Sequence, residues 1–123
     1  MSLTIAVAAL SLLQAPASAD QSVDVAFDEL SAARNSEAIM RIESNAALDR
    51  DDPARLINLA VAYAREGRTD EARELLDLAV HSGARYQLET ASGDWVDSRR
   101  LALKAIAMLD SGQLGSAARV ASR

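Results

Sequence analysis

Pro53-Ala54-Arg55-Leu56-Ile57-Asn58-Leu59-Ala60-Val61-Ala62-Tyr63-Ala64-Arg65-Glu66-Gly67-Arg68-Thr69-Asp70-Glu71-Ala72-Arg73-Glu74-Leu75-Leu76-Asp77-Leu78-Ala79 carries the clearest helical pattern of the chain. Leu56, Leu59, Ala60 and Tyr63 recur at spacings of three and four, and Ala72, Leu75, Leu76 and Ala79 do so again after a break. Such spacing places apolar side chains on one face of a helix, so two amphipathic helices are expected. Asp52-Pro53 opens the first: the carboxylate can accept from free N–H groups, and the donor that Pro53 lacks would have no helical partner. Gly67 closes it, because glycine enters the left-handed region without steric cost. Thr69-Asp70-Glu71 then offers a capping hydroxyl and two acids to the positive end of the second helix. The spacing predicts an antiparallel helical hairpin over residues 53–81.

The rest of the chain is consistent with helices that approach closely. Half of its 123 residues are hydrophobic, yet only Phe27, Tyr63, Tyr86 and Trp95 are aromatic, against 26 alanines. Thirteen basic and 18 acidic residues leave a net charge of −5, which bounds the chain to one small acidic domain. That balance, with no basic cluster, argues against nonspecific nucleic-acid binding, which needs grouped Lys and Arg to neutralise phosphates. The absence of cysteine excludes disulfides and thiolate-bound metals. The glycines at 67, 83, 93, 112 and 115 are scattered and form no phosphate-binding loop, so no cofactor is expected.

Residues 53–84 resemble a tetratricopeptide repeat. In that family a large residue, a leucine, a small residue and a tyrosine mark the first helix, matched here by Leu56, Leu59, Ala60 and Tyr63. The second helix carries a small residue, a bulky one and an alanine, matched by Ala72, Leu76 and Ala79. Leu56 replaces the usual tryptophan, and the proline expected near Ala84 is missing. The small residues let paired helices approach, while Tyr63 and Leu76 fill the space between neighbouring pairs. The resemblance implies an all-α, right-handed stack of antiparallel helical hairpins over residues 20–123.

One hairpin cannot bury both faces, so neighbours are expected at related spacing. Ser36-Glu37-Ala38 precedes Asp70-Glu71-Ala72 by one repeat length of the family. Residues 22–50 therefore read as a divergent repeat, with Phe27 and Leu30 in its first helix and Ile39, Ile42 and Leu48 in its second. Glu29 stands where the tyrosine belongs, and no glycine joins the two helices. Downstream, Gly112 and Ala117 mirror Gly67 and Ala72 at a longer offset, with Leu101, Ala105 and Met108 before them and a last helix over residues 114–122. The added length includes an alternating stretch from Arg85 with Ser92-Gly93-Asp94 ahead of Trp95-Val96. This reads as a short β-hairpin insertion near residues 86–96.

Residues 1–19 read as a signal peptide. They carry no charged side chain, hold an apolar run from Leu3 to Leu13 broken only by Thr4 and Ser11, and end in the small-x-small site Ala17-Ser18-Ala19. As a helix that run rises only about 16 Å, too short to span a bilayer core, so no membrane span is expected in the mature chain. Cleavage after Ala19 implies a periplasmic or secreted protein, although the run lacks the preceding Lys or Arg usual in such signals. Without cleavage the segment reads as an alanine-rich helix of a cytoplasmic protein.

Catalytic chemistry is scarce. His81, the single histidine, sits beside Asp77 and Ser82, but neighbours on one helical turn do not give the nucleophile–base–orienter line of acyl transfer. Asp49-Arg50-Asp51-Asp52 lacks the alternation, glycine and distal glutamate of a calcium loop, and reads as helix capping and solvation. A non-enzymatic interaction module is expected. The resemblance implies a concave groove for a peptide or helix, lined in the central repeat by Ile57, Val61, Ala64 and Arg65. Family members that clamp an acidic C-terminus use lysines, arginines and asparagines there, whereas Val23 and Phe27 give this groove an apolar face. The opposing expectation is that the stack is sealed by its own terminal helices. Tyr86 and Trp95 are either partner contacts or, for Trp95, packing against the third helical pair. Arg99, paired with Arg100 at a helix start, is a candidate anion contact. Tyr86, Trp95 and Arg99 together define the alternative of a small ligand-binding or enzymatic site.

Overall fold

The computed structural model describes residues 26–114. The expected signal peptide, Val23, the Phe27 side chain and most of the helix expected over residues 114–122 lie outside the described residues. Among those residues the order is α1 (Phe27–Ser31), α2 (Asn35–Ser44), α3 (Pro53–Arg65), α4 (Thr69–His81), β1 (Gln87–Glu89), β2 (Trp95–Asp97) and α5 (Ser98–Asp110). The protein is mostly helical with one small antiparallel sheet.

The central hairpin forms where its sequence places it. Asp52 caps α3, its Oδ1 accepting from the amides of Ala54 at 2.8 Å and Arg55 at 3.2 Å. At the other end Gly67 adopts φ 83°, and the Gly67 and Arg68 amides donate back to the carbonyls of Ala64 and Tyr63 at 3.0 and 2.9 Å. This paired closure satisfies two carbonyls that a helix end leaves free. It also moves the start of α4. Arg68, whose amide is committed to Tyr63, becomes the cap residue and its carbonyl accepts from Ala72 at 3.1 Å. Thr69 is thus the first helical residue rather than the cap, and no side chain caps α4.

The same turn occurs one repeat earlier without a glycine. Ala33 takes φ 58°, and the Ala33 and Arg34 amides donate to the carbonyls of Leu30 and Glu29 at 3.1 and 2.8 Å. Arg34 and Arg68 share a cap conformation, φ −88° and ψ 73° against φ −89° and ψ 67°. Each then pairs with the glutamate three positions on, Glu37 and Glu71 respectively. After α5 the pattern returns, with Gly112 at φ 77° and its amide on the Leu109 carbonyl at 3.1 Å. Leu48 is buried but lies in the loop after α2, which ends at Ser44, so it belongs to the inter-repeat connection rather than to a helix face.

Small residues make the helix contacts. Ala60 and Ala62 on α3, Ala72 on α4 and Ala102 on α5 are fully buried beside Ile42, Leu56 and Leu76. Close packing of such side chains is the main favourable term available to a chain with so few aromatics. Helix α2 packs on α3, α3 on α4 and α4 on α5, and α3 also touches both α1 and α5. Tyr63 ties two of these together: its hydroxyl donates to Glu43 on α2, while the Arg68 guanidinium lies 4.1 Å from its ring centroid. Glu29, one repeat length before Tyr63, is buried and pairs instead with Arg41 on α2.

Candidate functional site

The hairpin is built by pairing Gln87 with Asp97, Leu88 with Val96 and Glu89 with Trp95. Gly93 at φ 87° lets the connecting turn close, with the Gly93 amide on the Thr90 carbonyl and the Thr90 amide on the Asp94 carbonyl, both at 2.8 Å. Alternation then separates two sets of side chains. Leu88 packs against the helical core, whereas Trp95 is 65% exposed. The packing role considered for Trp95 therefore falls to Leu88, because Leu88 occupies the inward position of the strand pair.

Two links hold the hairpin to α5. The Ser98 hydroxyl, itself buried, accepts from the Tyr86 amide at 3.1 Å, and the Ser98 amide donates to the Tyr86 carbonyl at 2.8 Å. Asp97 caps α5 by accepting from the Arg100 amide at 3.1 Å, and it receives a two-pronged contact from Arg85 at 3.0 and 3.1 Å. The Arg85 hydrogen bond, with the helix-start amides, holds the Asp97 carboxyl below its usual range. The start of α5 is thereby occupied by the protein's own carboxylate, which takes the anion position considered for the Arg99-Arg100 pair.

Between the hairpin and the helices lies a groove of about 590 Å³. Its walls are Leu30 on α1, Ile57, Val61 and Arg65 on α3, Leu101 on α5, and Leu88 with Trp95 on the hairpin. It continues past Ile57, Val61 and Leu101 into a second hollow of about 460 Å³, bordered by Val96, Arg100, Lys104, Met108 and Leu114. Such a concave, mainly apolar surface with a few polar groups at its edge is the usual form of a binding site.

Of the residues expected at a site, the structure brings Ile57, Val61, Arg65 and Trp95 together. Ile57 is only 4% exposed and serves as floor, with Val61 half-buried beside it. Ala64 is equally buried and belongs to the core, not to the groove walls. Tyr86 is exposed, and neither it nor Arg99 borders the groove. Leu30, Leu88, Leu101 and Lys104 were not anticipated, and Arg100 was expected only as the neighbour of Arg99 in an anion contact at a helix start. The alternation around Leu88 carried a usable signal, whereas the α5 residues required knowing where the insertion places that helix.

Arg65 is the unusual group here. Its Nη1 donates to the Leu30 carbonyl at 2.8 Å, its Nε is buried without a hydrogen-bond partner, and burial pushes its pKa down. His81, Asp77 and Ser82 do not converge: His81 Nδ1 meets the Asp77 backbone carbonyl at 2.8 Å, and the Ser82 hydroxyl donates to the Asp51 carbonyl at 3.0 Å. Among the described residues no cluster of three metal-ligating side chains occurs, and no helix is long and apolar enough to cross a membrane. Comparison with protein-family models, with curated proteins and with solved structures finds no match for the chain.

Proposed function

We propose that the mature chain is a small tetratricopeptide-like stack of helical hairpins that acts as a non-enzymatic interaction module in the bacterial envelope. Its ligand is a peptide or helix of a partner protein, held in the groove between the first helices of the pairs and the β-hairpin. Support for the stack comes from the turns at Ala33 and Gly67, one repeat length apart, and from each second helix packing on the first helix of the next pair. Envelope location rests on the signal-like composition of residues 1–19.

The observation that carries the reading is Trp95, an exposed aromatic on the wall of a groove whose other apolar lining is aliphatic. Exposed large apolar surface in a concavity is costly in water and is relieved when a complementary surface covers it. The alternative of a ligand or catalytic site formed by Tyr86, Trp95 and Arg99 has less support, since only Trp95 of the three borders the groove. Amide chemical-shift mapping with peptides selected against the folded domain tests the proposal. Shifts should concentrate at Leu30, Ile57, Val61, Leu88 and Leu101; shifts confined to the outer faces around Leu78 and Leu103 would refute it.

A further inference from the structure

The charges of the chain are unevenly spent. Arg34, Arg41, Arg68, Arg73 and Arg85 all form ion pairs, with Glu37, Glu29, Glu71, Asp110 and Asp97, and none of the five borders the groove. The three cations that do border it, Arg65, Arg100 and Lys104, form no ion pair with a described residue, and away from the groove neither do Arg50, Arg55 and Arg99. All three stand on the helical wall. The two groove carboxylates, Glu89 and Asp94, stand on the hairpin, where Asp94 already accepts from the Ser92 hydroxyl at 3.0 Å.

Arg65 has the strongest reason to want a partner. An exposed cation is satisfied by water, but Arg65 is half-buried and its Nε has neither water access nor an acceptor. Its one hydrogen bond goes to a neutral carbonyl, which offsets desolvation less than a carboxylate does. Desolvation accordingly depresses its pKa. A carboxylate delivered to the guanidinium edge from the groove would find a cation already partly stripped of solvent, where a charge pair is worth more than at an open surface.

We propose that the groove selects an amphipathic helix of a partner protein whose apolar stripe is flanked by a side-chain carboxylate, and that Arg65 is the residue reading that carboxylate. Apolar residues at positions i, i+3 or i+4 and i+7 cover Ile57, Val61, Leu88 and Leu101. The acidic residue lies toward Arg65 on α3, whereas Arg100 and Lys104, on α5 beside the adjoining hollow, favour further acidic residues there. This inference rests on the groove being the partner site, so its test has to separate the two.

The probe is a displayed library of helical peptides, about four turns long, with leucine fixed at those apolar positions and the remainder random, selected against the folded domain. Binders to the wild type should be enriched in Asp or Glu at one flanking position. Exchanging that residue for Gln or Asn should weaken binding about tenfold, as read by Trp95 fluorescence. Against Arg65→Gln the same exchange should change affinity less than about twofold, closing a double-mutant cycle. The acid should also lose its advantage as salt is raised. Should Arg65→Gln unfold through loss of its bond to Leu30, the peptide-side exchange on the wild type and its salt dependence still decide the matter. Binders that depend on Val61 but show no acidic preference overturn the role of Arg65 alone. If Val61→Glu abolishes no binding, the groove reading falls, and this inference with it.

Discussion

Ala33 and Gly67 stand one repeat length apart in the same left-handed backbone conformation, φ 58° and 83°, and each closes a helix by the same pair of amide-to-carbonyl bonds. An alanine in this region carries a steric penalty that glycine does not, of about 1 kcal/mol. Ala33→Gly should therefore raise unfolding free energy by about 1 kcal/mol. A Cβ at Gly67 would meet nothing within 4 Å, so Gly67→Ala should lower it by a similar amount through backbone strain alone. Urea denaturation of both variants checks the pair; a destabilised Ala33→Gly would show that the first turn is not held as described.

Leu76 is fully buried on α4, in a core rich in alanine. Leu76→Ala should cost about 3 kcal/mol, read as a fall in the denaturation midpoint with little change in slope. By contrast Trp95→Ala should change stability by less than about 0.5 kcal/mol, because the side chain is largely in water. Loss of helicity in Trp95→Ala would restore the packing role that its exposure removes.

Tyr63 makes stability sensitive to alkali. Burial, followed by the hydrogen bond to the Glu43 carboxylate, pushes its phenol from 10.0 up to about 12. Because the folded value lies above the unfolded one, the contribution is fully present below pH 10 and is lost as pH rises toward 12. Denaturation followed from neutral to strongly alkaline pH should show wild-type stability falling more steeply than that of Tyr63→Phe. Parallel curves would exclude the effect.

Asp97 acts at the other end of the scale. Its carboxyl is held below the usual range by Arg85 and by amides at the start of α5, so its contribution is present above the unfolded pKa and lost as pH falls through the depressed folded value. Acid titration of the wild type should therefore show a loss that Asp97→Asn, already lacking the charge, does not. The Asp97 carboxyl resonance should titrate below that of a free aspartate, and a value at or above it would contradict the arrangement.

Much of this architecture was legible because strong local signals agreed. Asp52-Pro53, Gly67 and the apolar spacing of α3 and α4 all state the same hairpin, and Ser92-Gly93-Asp94 announces the turn between strands. What escaped reading depends on tertiary context. Ala33 gives no local sign of a left-handed conformation, since alanine is a strong helix former. Thr69 resembles a cap, but the closure after Gly67 commits Arg68 to that role. On α3 the periodicity separates two faces without showing that Ala64 is covered, whereas Ile57 and Val61 remain at the groove. Trp95 could face either way until the strand register set Leu88 inward. That Arg65 forms no ion pair with a described residue follows from the packing of α3 and α1 and has no sign in its sequence neighbours.

The surface formed by Ile57, Val61 and Trp95 is proposed to receive a partner segment. Trp95 is the single tryptophan of the chain, so its emission reports directly on that surface. Titration of a selected amphipathic peptide into the wild-type domain and into Val61→Glu, with helicity of the two matched by circular dichroism, is the most direct measurement. The wild type should show a saturable blue shift, and Val61→Glu should bind at least tenfold more weakly. Equal affinity for both, or binding that leaves Trp95 emission unchanged, would contradict the proposal.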